Sequence, residues 1–165
     1  LKKSFFEISS AYDKAVELKN KNRQELQALY HKEKDSAEDV GVVLLGRPYT
    51  VLSEKMNSRI PDIFSTLGVK TFYQDMVPVS DDDKACIGPL ISDIHWKYVS
   101  KIIQAAEKIA KTDNLYPVYI TSFKCSPDSF GLKFFKELLV GNYSIANSGD
   151  TFKTLKFQGC VLYLQ

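Results

Sequence analysis

The spacing of hydrophobic positions changes along the chain, and the change predicts one long helix followed by a repeated strand–helix pattern. In residues 1–34 apolar side chains recur every three or four positions on a lysine-rich background, which is typical of an amphipathic helix. Residues 40–45 form a continuous apolar run instead, the pattern of a strand buried on both faces. We expect the long helix either to connect to upstream sequence or to pack across one face of the domain.

The alternation of strands and helices continues toward the C-terminus. Connections between such units cross over in a right-handed sense and leave their strands parallel. The pattern therefore predicts an α/β/α domain of three layers, with a mostly parallel sheet of four or five strands. The predicted elements are strands at 69–73 and 116–123, helices at 56–67, 91–109 and 130–139, and a long loop at 76–90.

The last 26 residues do not continue the strand–helix pattern of the rest of the chain. Val161 to Leu164 predicts a further strand, and the alternation from Thr151 to Phe157 predicts an edge strand. We therefore divide the chain into an N-terminal linker helix at 1–38 and an α/β domain at 39–165, of which 140–165 is a divergent tail.

Composition narrows the class of protein. The net charge of +2 does not mark a dedicated nucleic-acid binder, and no apolar run reaches the length of a membrane span. The chain begins Leu-Lys-Lys-Ser, without a starting Met or a signal-like apolar region, so we expect a piece excised from a longer protein. Three widely spaced cysteines without a C-x-x-C pair predict a reducing, cytoplasmic compartment and no self-contained zinc knuckle.

Several candidate binding residues follow the predicted strands, where open α/β sheets place their ligands. Gly46 permits close backbone approach, Arg47 offers a forked donor to a carboxylate or phosphate, and Tyr49 follows in the same turn. The alternative for this turn is a plain strand ending. Asp75 follows the second strand, and an exposed turn aspartate is its simpler interpretation. His95 is predicted in the first turns of the 91–109 helix, with a structural histidine as the default.

The third predicted strand leads into Cys125, Ser126, Pro127 and Asp128. Ser126 is suited to cap the next helix, and Pro127 is tolerated at a first helical position. The helix dipole would then favour the thiolate form of Cys125, as a metal ligand, redox thiol or nucleophile. The alternative is a small buried hydrophobic residue. The chain has neither a G-x-G-x-x-G nor a P-loop pattern.

Four blocks together resemble a known family. They are V-V-L-L-G-R-P-Y-T at 42–50, I-P-D-I-F-S-T-L-G-V-K-T-F-Y-Q-D-M at 60–76, I-H-W-K-Y at 94–98 and L-Y-P-V-Y-I-T-S-F-K-C-S-P-D-S-F at 115–130. They resemble the C-terminal, dehydratase-like (DUF2229-type) portion of CoA-substrate-specific enzyme activases, which are related to components of the 2-hydroxyacyl-CoA dehydratases. The resemblance covers residues 1–139 and does not extend into the tail.

The resemblance implies a Rossmann-like α/β fold and a parent protein with ATP-binding domains of the acetate kinase and actin type upstream. It also implies a CoA-ester dehydratase as partner and a [4Fe–4S] cluster held by cysteines. Cys125 is the first candidate ligand, and Cys86, in a C-I-G-P stretch, is the second. Two cysteines cannot complete such a site, so its other ligands would come from another domain, a subunit or a small molecule.

Three functions are therefore open. The first is an iron–sulfur and electron-transfer role in an ATP-dependent activator, for which the isolated chain is not expected to be active. The second is a non-catalytic module that docks onto a partner or binds an anion through the turn at Gly46 and the helix start at Ser126. The third is a cysteine-nucleophile enzyme using Cys125 and His95, although nothing in the sequence brings those two residues together.

Overall fold

The computed structural model describes residues 3–35, 40–92, 94–122, 126–143, 153–157 and 160–164. Its helices confirm the long N-terminal helix and add short ones that the sequence pattern did not predict. In chain order they are α1 (Phe5–Asp35), α2 (Pro48–Val51), α3 (Ile60–Thr66), α4 (Asp81–Cys86), α5 (Gly88–Ser92), α6 (Lys97–Ala110) and α7 (Ser126–Tyr143).

Five strands form one sheet in the order β2-β1-β3-β5-β4. The strands β1 and β2 pair in parallel, as do β1 and β3, whereas β5 runs antiparallel to both β3 and β4. Four strands therefore share one direction, which confirms the predicted mostly parallel sheet. The strands are β1 (Gly41–Leu45), β2 (Lys70–Tyr73), β3 (Leu115–Ser122), β4 (Lys153–Phe157) and β5 (Cys160–Leu164).

The central strand β1 sends alternate side chains into two apolar cores. Val43 and Leu45 lie in the larger core, together with buried side chains of α6 and α7. Val42 and Leu44 lie in a smaller core on the opposite face, together with side chains of α2 and α3. A strand flanked by helices on both faces is the arrangement of a three-layer α/β/α domain, as predicted. The proposed boundary between residues 38 and 39 stays a prediction.

The helix α1 is attached to the domain through its C-terminal half. Its Tyr30 side chain is buried and contacts the ring of Phe72 on β2 edge-on, with the ring centroids 5.1 Å apart. Lys70 of β2 donates to the carboxylate of Glu33 at 3.0 Å. Apolar side chains nearer the helix start, including Phe5, are exposed.

The predicted loop at 76–90 is wrong, because this segment contains α4 and the start of α5. Ser80 begins α4 with a capping box: its hydroxyl oxygen accepts from the backbone N–H of Asp83 at 3.1 Å. The Asp83 carboxylate in turn accepts from the backbone N–H of Ser80 at 2.9 Å. The helix was not predicted because its six residues are too few to show a helical period.

Two other predicted helices begin later than expected. Ser58 and Arg59 have positive φ angles, which interrupt the predicted 56–67 helix, so that α3 starts at Ile60. The predicted 91–109 helix is divided, because α5 ends at Ser92 and α6 begins only at Lys97. Over the residues that the structure describes, no helix combines the length and apolar character needed to cross a membrane.

Candidate functional site

The loops after β1 and β3 diverge to opposite faces of the sheet. The chain leaves β1 toward α2 and α3 on one face, whereas it leaves β3 toward α7 on the other. The two strands are neighbours, with Leu45 opposite Tyr119. In open α/β sheets this divergence opens a crevice at the carboxyl ends of the strands, which is the usual place for a ligand.

Gly46 is the first residue after β1, and the space around it excludes a side chain. Its φ angle is +152°, and a Cβ atom there would lie 2.5 Å from the carbonyl oxygen of Ile120 and 2.7 Å from Cγ2 of Val51. Its N–H donates to the side-chain oxygen of Gln74 at 3.3 Å. The loop after β1 therefore passes directly against β3 and is tied to the end of β2.

Arg47 and Asp128 form a buried ion pair at the divergence of the two strands. Arg47 Nε donates to Asp128 Oδ1 at 2.8 Å, and the hydroxyl of Thr121 donates to Oδ2 at 2.7 Å. Asp128 is only 1% exposed. Arg47 Nη1 also donates to the hydroxyl oxygen of Tyr49 at 2.6 Å. The Arg47 side chain thus binds a carboxylate of its own chain, and this pair joins the β1 loop, β3 and α7.

Asp75 lies in the 3-10 turn that follows β2, between two cations. Arg23 Nη2 of α1 and Lys101 Nζ of α6 each lie 3.8 Å from Asp75 Oδ1. Burial lowers the pKa of Lys101; the charge of Asp75 opposes this effect, and the positive charge of Arg23 adds to it. These side chains line a polar cavity of about 160 Å³.

An apolar cavity of about 140 Å³ adjoins the polar one and shares Asp75 and Lys101 with it. Its other walls come from α1, from the loop after β1 and from the start of α6. A charged wall and an apolar wall therefore meet in one crevice. The apolar side is formed by Leu26, Pro48, Val51, Leu52 and Tyr98.

Four exposed aromatic side chains stand on the segments that meet at this carboxyl edge of the sheet. We call Tyr49, Trp96, Tyr98 and Phe130 the aromatic patch; they are 38–54% exposed. The rings of Trp96 and Phe130 lie 5.3 Å apart, which joins the start of α6 to the start of α7. The sequence analysis named Tyr49 of this group as a candidate but not the other three, although Trp96 and Phe130 both stand near a helix start that faces the predicted ligand edge.

Other predicted site residues lie apart from the Arg47 and Asp128 pair. Ser126 is exposed and is the first residue of α7, which begins four residues before the predicted 130–139 helix and one residue before the helical position predicted for Pro127. His95 is exposed in the segment before α6, so its predicted place within that helix is wrong. Cys125 lies outside the described residues. The described part of the chain contains no cluster of three or more His, Cys, Asp or Glu side chains suited to a metal.

Cys86 is the last residue of α4. It is exposed and interacts with Lys111, which directly follows α6. Lys84, two residues earlier on the same helix, lines the polar cavity. The role of Cys86 as a second cluster ligand stays a prediction.

The crevice is built partly from a segment with a recognised family. Residues 1–77 match the family model described as CoA enzyme activase uncharacterised domain (DUF2229). These residues are therefore similar to a domain of the CoA enzyme activases. The predicted family is thus confirmed for the segment that contributes α1, the loop after β1 and the end of β2. Comparison with curated proteins and with solved structures finds no match.

The activase-family segment ends before several of the residues that complete the crevice. It includes Gly46 and Asp75, whereas Tyr98 and Lys101 lie beyond the matched range. Because both sets of residues meet in one sheet and one crevice, the activase-family segment and the remainder of the chain fold together as one α/β unit.

Proposed function

We propose that this chain is a docking module of a CoA enzyme activase, which binds another protein of the same system through the aromatic patch. The observation that carries the proposal is the position of four exposed aromatic side chains at the ligand edge of the sheet. Tyrosine, tryptophan and phenylalanine are enriched in protein interfaces, where they form most of the energetically dominant contacts.

The Arg47 and Asp128 pair supports this proposal because it provides a rigid base for the patch. It fixes the β1 loop, which carries Tyr49, against the start of α7, which carries Phe130. A surface whose backbone is held in this way loses little conformational freedom on binding. The partners that fit the family resemblance are the upstream ATP-binding domains and a CoA-ester dehydratase.

In the experiment, the chain is titrated with each partner protein, and isothermal titration calorimetry measures the dissociation constant. We expect Trp96→Ala and Phe130→Ala to weaken binding by about thirtyfold, the effect of losing a hot-spot residue. Leu67→Ala is the matched control. Leu67 is an apolar residue at the end of α3, and its side chain is more exposed (69%) than those of Trp96 and Phe130. Equal loss in the control, or no loss in either aromatic variant, would contradict the docking proposal.

A second candidate function is cluster binding through Cys125, with a role in one-electron transfer. Its support is that Cys125 directly precedes Ser126, the first residue of α7, in the sequence. The described residues alone do not complete a [4Fe–4S] site, because they contain no group of three or more His, Cys, Asp or Glu side chains that could hold a metal. Under this proposal the remaining thiolate ligands come from the docked partner.

Anaerobic reconstitution with iron and sulfide tests the second candidate. The chain with its partner is compared with Cys125→Ser, and Cys86→Ser is the matched control. We expect iron content and visible absorbance to be lost in Cys125→Ser and retained in Cys86→Ser. Iron retained in Cys125→Ser removes this cysteine as an essential ligand and leaves docking as the function.

A further inference from the structure

We infer that the crevice between α1, the turn after β2 and α6 binds a small organic anion, with a carboxylate or phosphate group joined to a short apolar portion. The inference concerns a different set of residues from the aromatic patch, apart from Tyr98. It therefore does not depend on the docking proposal.

The charged wall carries more positive than negative charge. Arg23 and Lys101 face Asp75, and the additional charges of Lys19 and Lys97 act on Lys101. Both cation–carboxylate separations are 3.8 Å, which is longer than the 2.7–3.2 Å of a direct N–H···O hydrogen bond. The Lys101 ammonium has three N–H donors and the Arg23 guanidinium has five. Asp75 therefore leaves donors on both cations available to a ligand.

Neutral amides complete the polar side of the crevice. Gln27, Gln74 and Gln104 line the same cavity as Arg23 and Lys101. The side-chain oxygen of Gln74 accepts a hydrogen bond from the N–H of Gly46, so this acceptor atom faces the protein. Amide NH₂ groups and cations are the donors that carboxylate and phosphate oxygens need, so the polar side suits an oxyanion.

The apolar side determines what is attached to the anion. Leu26, Pro48, Leu52 and Tyr98 line the adjoining cavity, and Lys101 belongs to both cavities. A ligand whose charged group lies beside Lys101 can therefore extend its apolar portion along these side chains. A few polar groups with mostly apolar walls are typical of small-molecule sites.

The electrostatic state of Lys101 agrees with this assignment. Burial lowers its pKa, the charge of Asp75 opposes this effect, and the charges of Arg23, Lys19 and Lys97 lower the pKa further. A bound anion would stabilise the charged ammonium and raise that pKa. We therefore expect binding to weaken as the pH rises toward the lowered pKa of Lys101, because the neutral amine does not attract an anion.

The probe for the first experiment is hexanoate, titrated into the chain and followed by amide chemical shifts. A concentration of up to about 20 mM is sufficient, since ligands of this size bind with roughly millimolar dissociation constants. Hexanol and hexylamine are control ligands that keep the apolar portion and remove the negative charge. Hexyl phosphate and inorganic phosphate then distinguish a carboxylate site from a phosphate site and measure the contribution of the apolar portion.

Three variants test the residues. We expect Lys101→Met and Arg23→Gln to weaken hexanoate or hexyl phosphate binding by about tenfold, the effect of losing one charge-assisted hydrogen bond. Asp75→Asn should tighten binding severalfold, because it removes the competing carboxylate. A damaged fold cannot produce that gain. Lys133→Gln, which removes an exposed lysine of α7, is the matched control.

Three results would overturn the inference. The first is the absence of shifts in the crevice with both hexanoate and hexyl phosphate. The second is an affinity that stays unchanged in Lys101→Met and Arg23→Gln, and the third is equal binding of hexanol. Trp96→Ala should leave hexanoate binding unchanged, which separates the outcome of this test from that of the docking experiment.

Discussion

The buried pair of Arg47 and Asp128 allows a quantitative prediction about stability. The variant Arg47→Met keeps most of the side-chain volume but removes the guanidinium. It leaves the Asp128 carboxylate 1% exposed with the Thr121 hydroxyl as its remaining described partner. Breaking a buried pair from one side typically costs about 3–5 kcal/mol, because a buried charge loses its compensation. We expect a loss in this range.

The reverse change should cost less. In Asp128→Asn the carboxamide keeps the shape of the side chain, and the Arg47 side chain is 19% exposed, so water can solvate part of its charge. We expect about 1–3 kcal/mol, the usual effect of losing a hydrogen bond to a charged group. The double variant Arg47→Met, Asp128→Asn removes both charges, and its cost should fall well below the sum of the two single changes.

Urea unfolding, monitored by far-ultraviolet circular dichroism, gives the four free energies of unfolding for the cycle: those of the parent chain, the two single variants and the double variant. Arg59→Met is the matched control, because Arg59 pairs with Asp62 at 2.7 Å on the exposed surface. Surface pairs contribute about 0–1 kcal/mol. If Arg47→Met costs no more than this control, or if the cycle is additive, the buried pair does not hold the β1 loop and α7 together.

Three further predictions concern Gly46 and the start of α4. Gly46→Ala should lower the free energy of unfolding in urea by about 3 kcal/mol. Over-packing against Ile120 and backbone strain each cost of order 1–3 kcal/mol. A loss below about 1 kcal/mol would show that the loop moves aside. Ser80→Ala should cost about 1 kcal/mol, because it removes the N-cap acceptor; an unchanged thermal midpoint would contradict the capping role. Burial of Asp83 opposes its ionisation, but hydrogen bonds from Ser80 and the charge of Lys108 hold its pKa below the ordinary 3.8. The stability that Asp83 contributes should therefore be complete above the pKa of this carboxyl group in the unfolded chain. It should be lost as the pH falls through the lower pKa of the folded chain, and urea unfolding across the acid range measures this loss. Asp83→Asn should remove that part of the pH dependence.

The elements that the sequence predicted well are those with a long local period. The 31 residues of α1 repeat the helical period over many turns, and the short apolar runs of β1 and β3, bounded by turn residues, favour strands. The short helices α2, α4 and α5 have four to six residues each, which is too few for a helical period to appear. Their positions depend on local caps and on packing against the sheet.

The candidate site divides in the same way. The turn after β1 and the helix start after β3 were identified from the sequence, because the carboxyl ends of strands are recognisable along the chain. The direct contact between these two segments was not predicted. Arg47 and Asp128 are 81 positions apart in the sequence, and they come together only because β1 and β3 are neighbours in the sheet. Arg23 and Lys101 were missed because their surface helical positions look solvated in sequence.

The sequence by itself determined the alternation of strands and helices, the family of residues 1–77 and the candidate residues at the strand ends. These depend on short-range periodicity and local motifs, which the chain carries directly. The tertiary structure alone decided that the order β2-β1-β3 brings α1, the β1 loop and α6 around one crevice. That outcome depends on which strands become neighbours and on which face each helix packs, and non-local burial determines both.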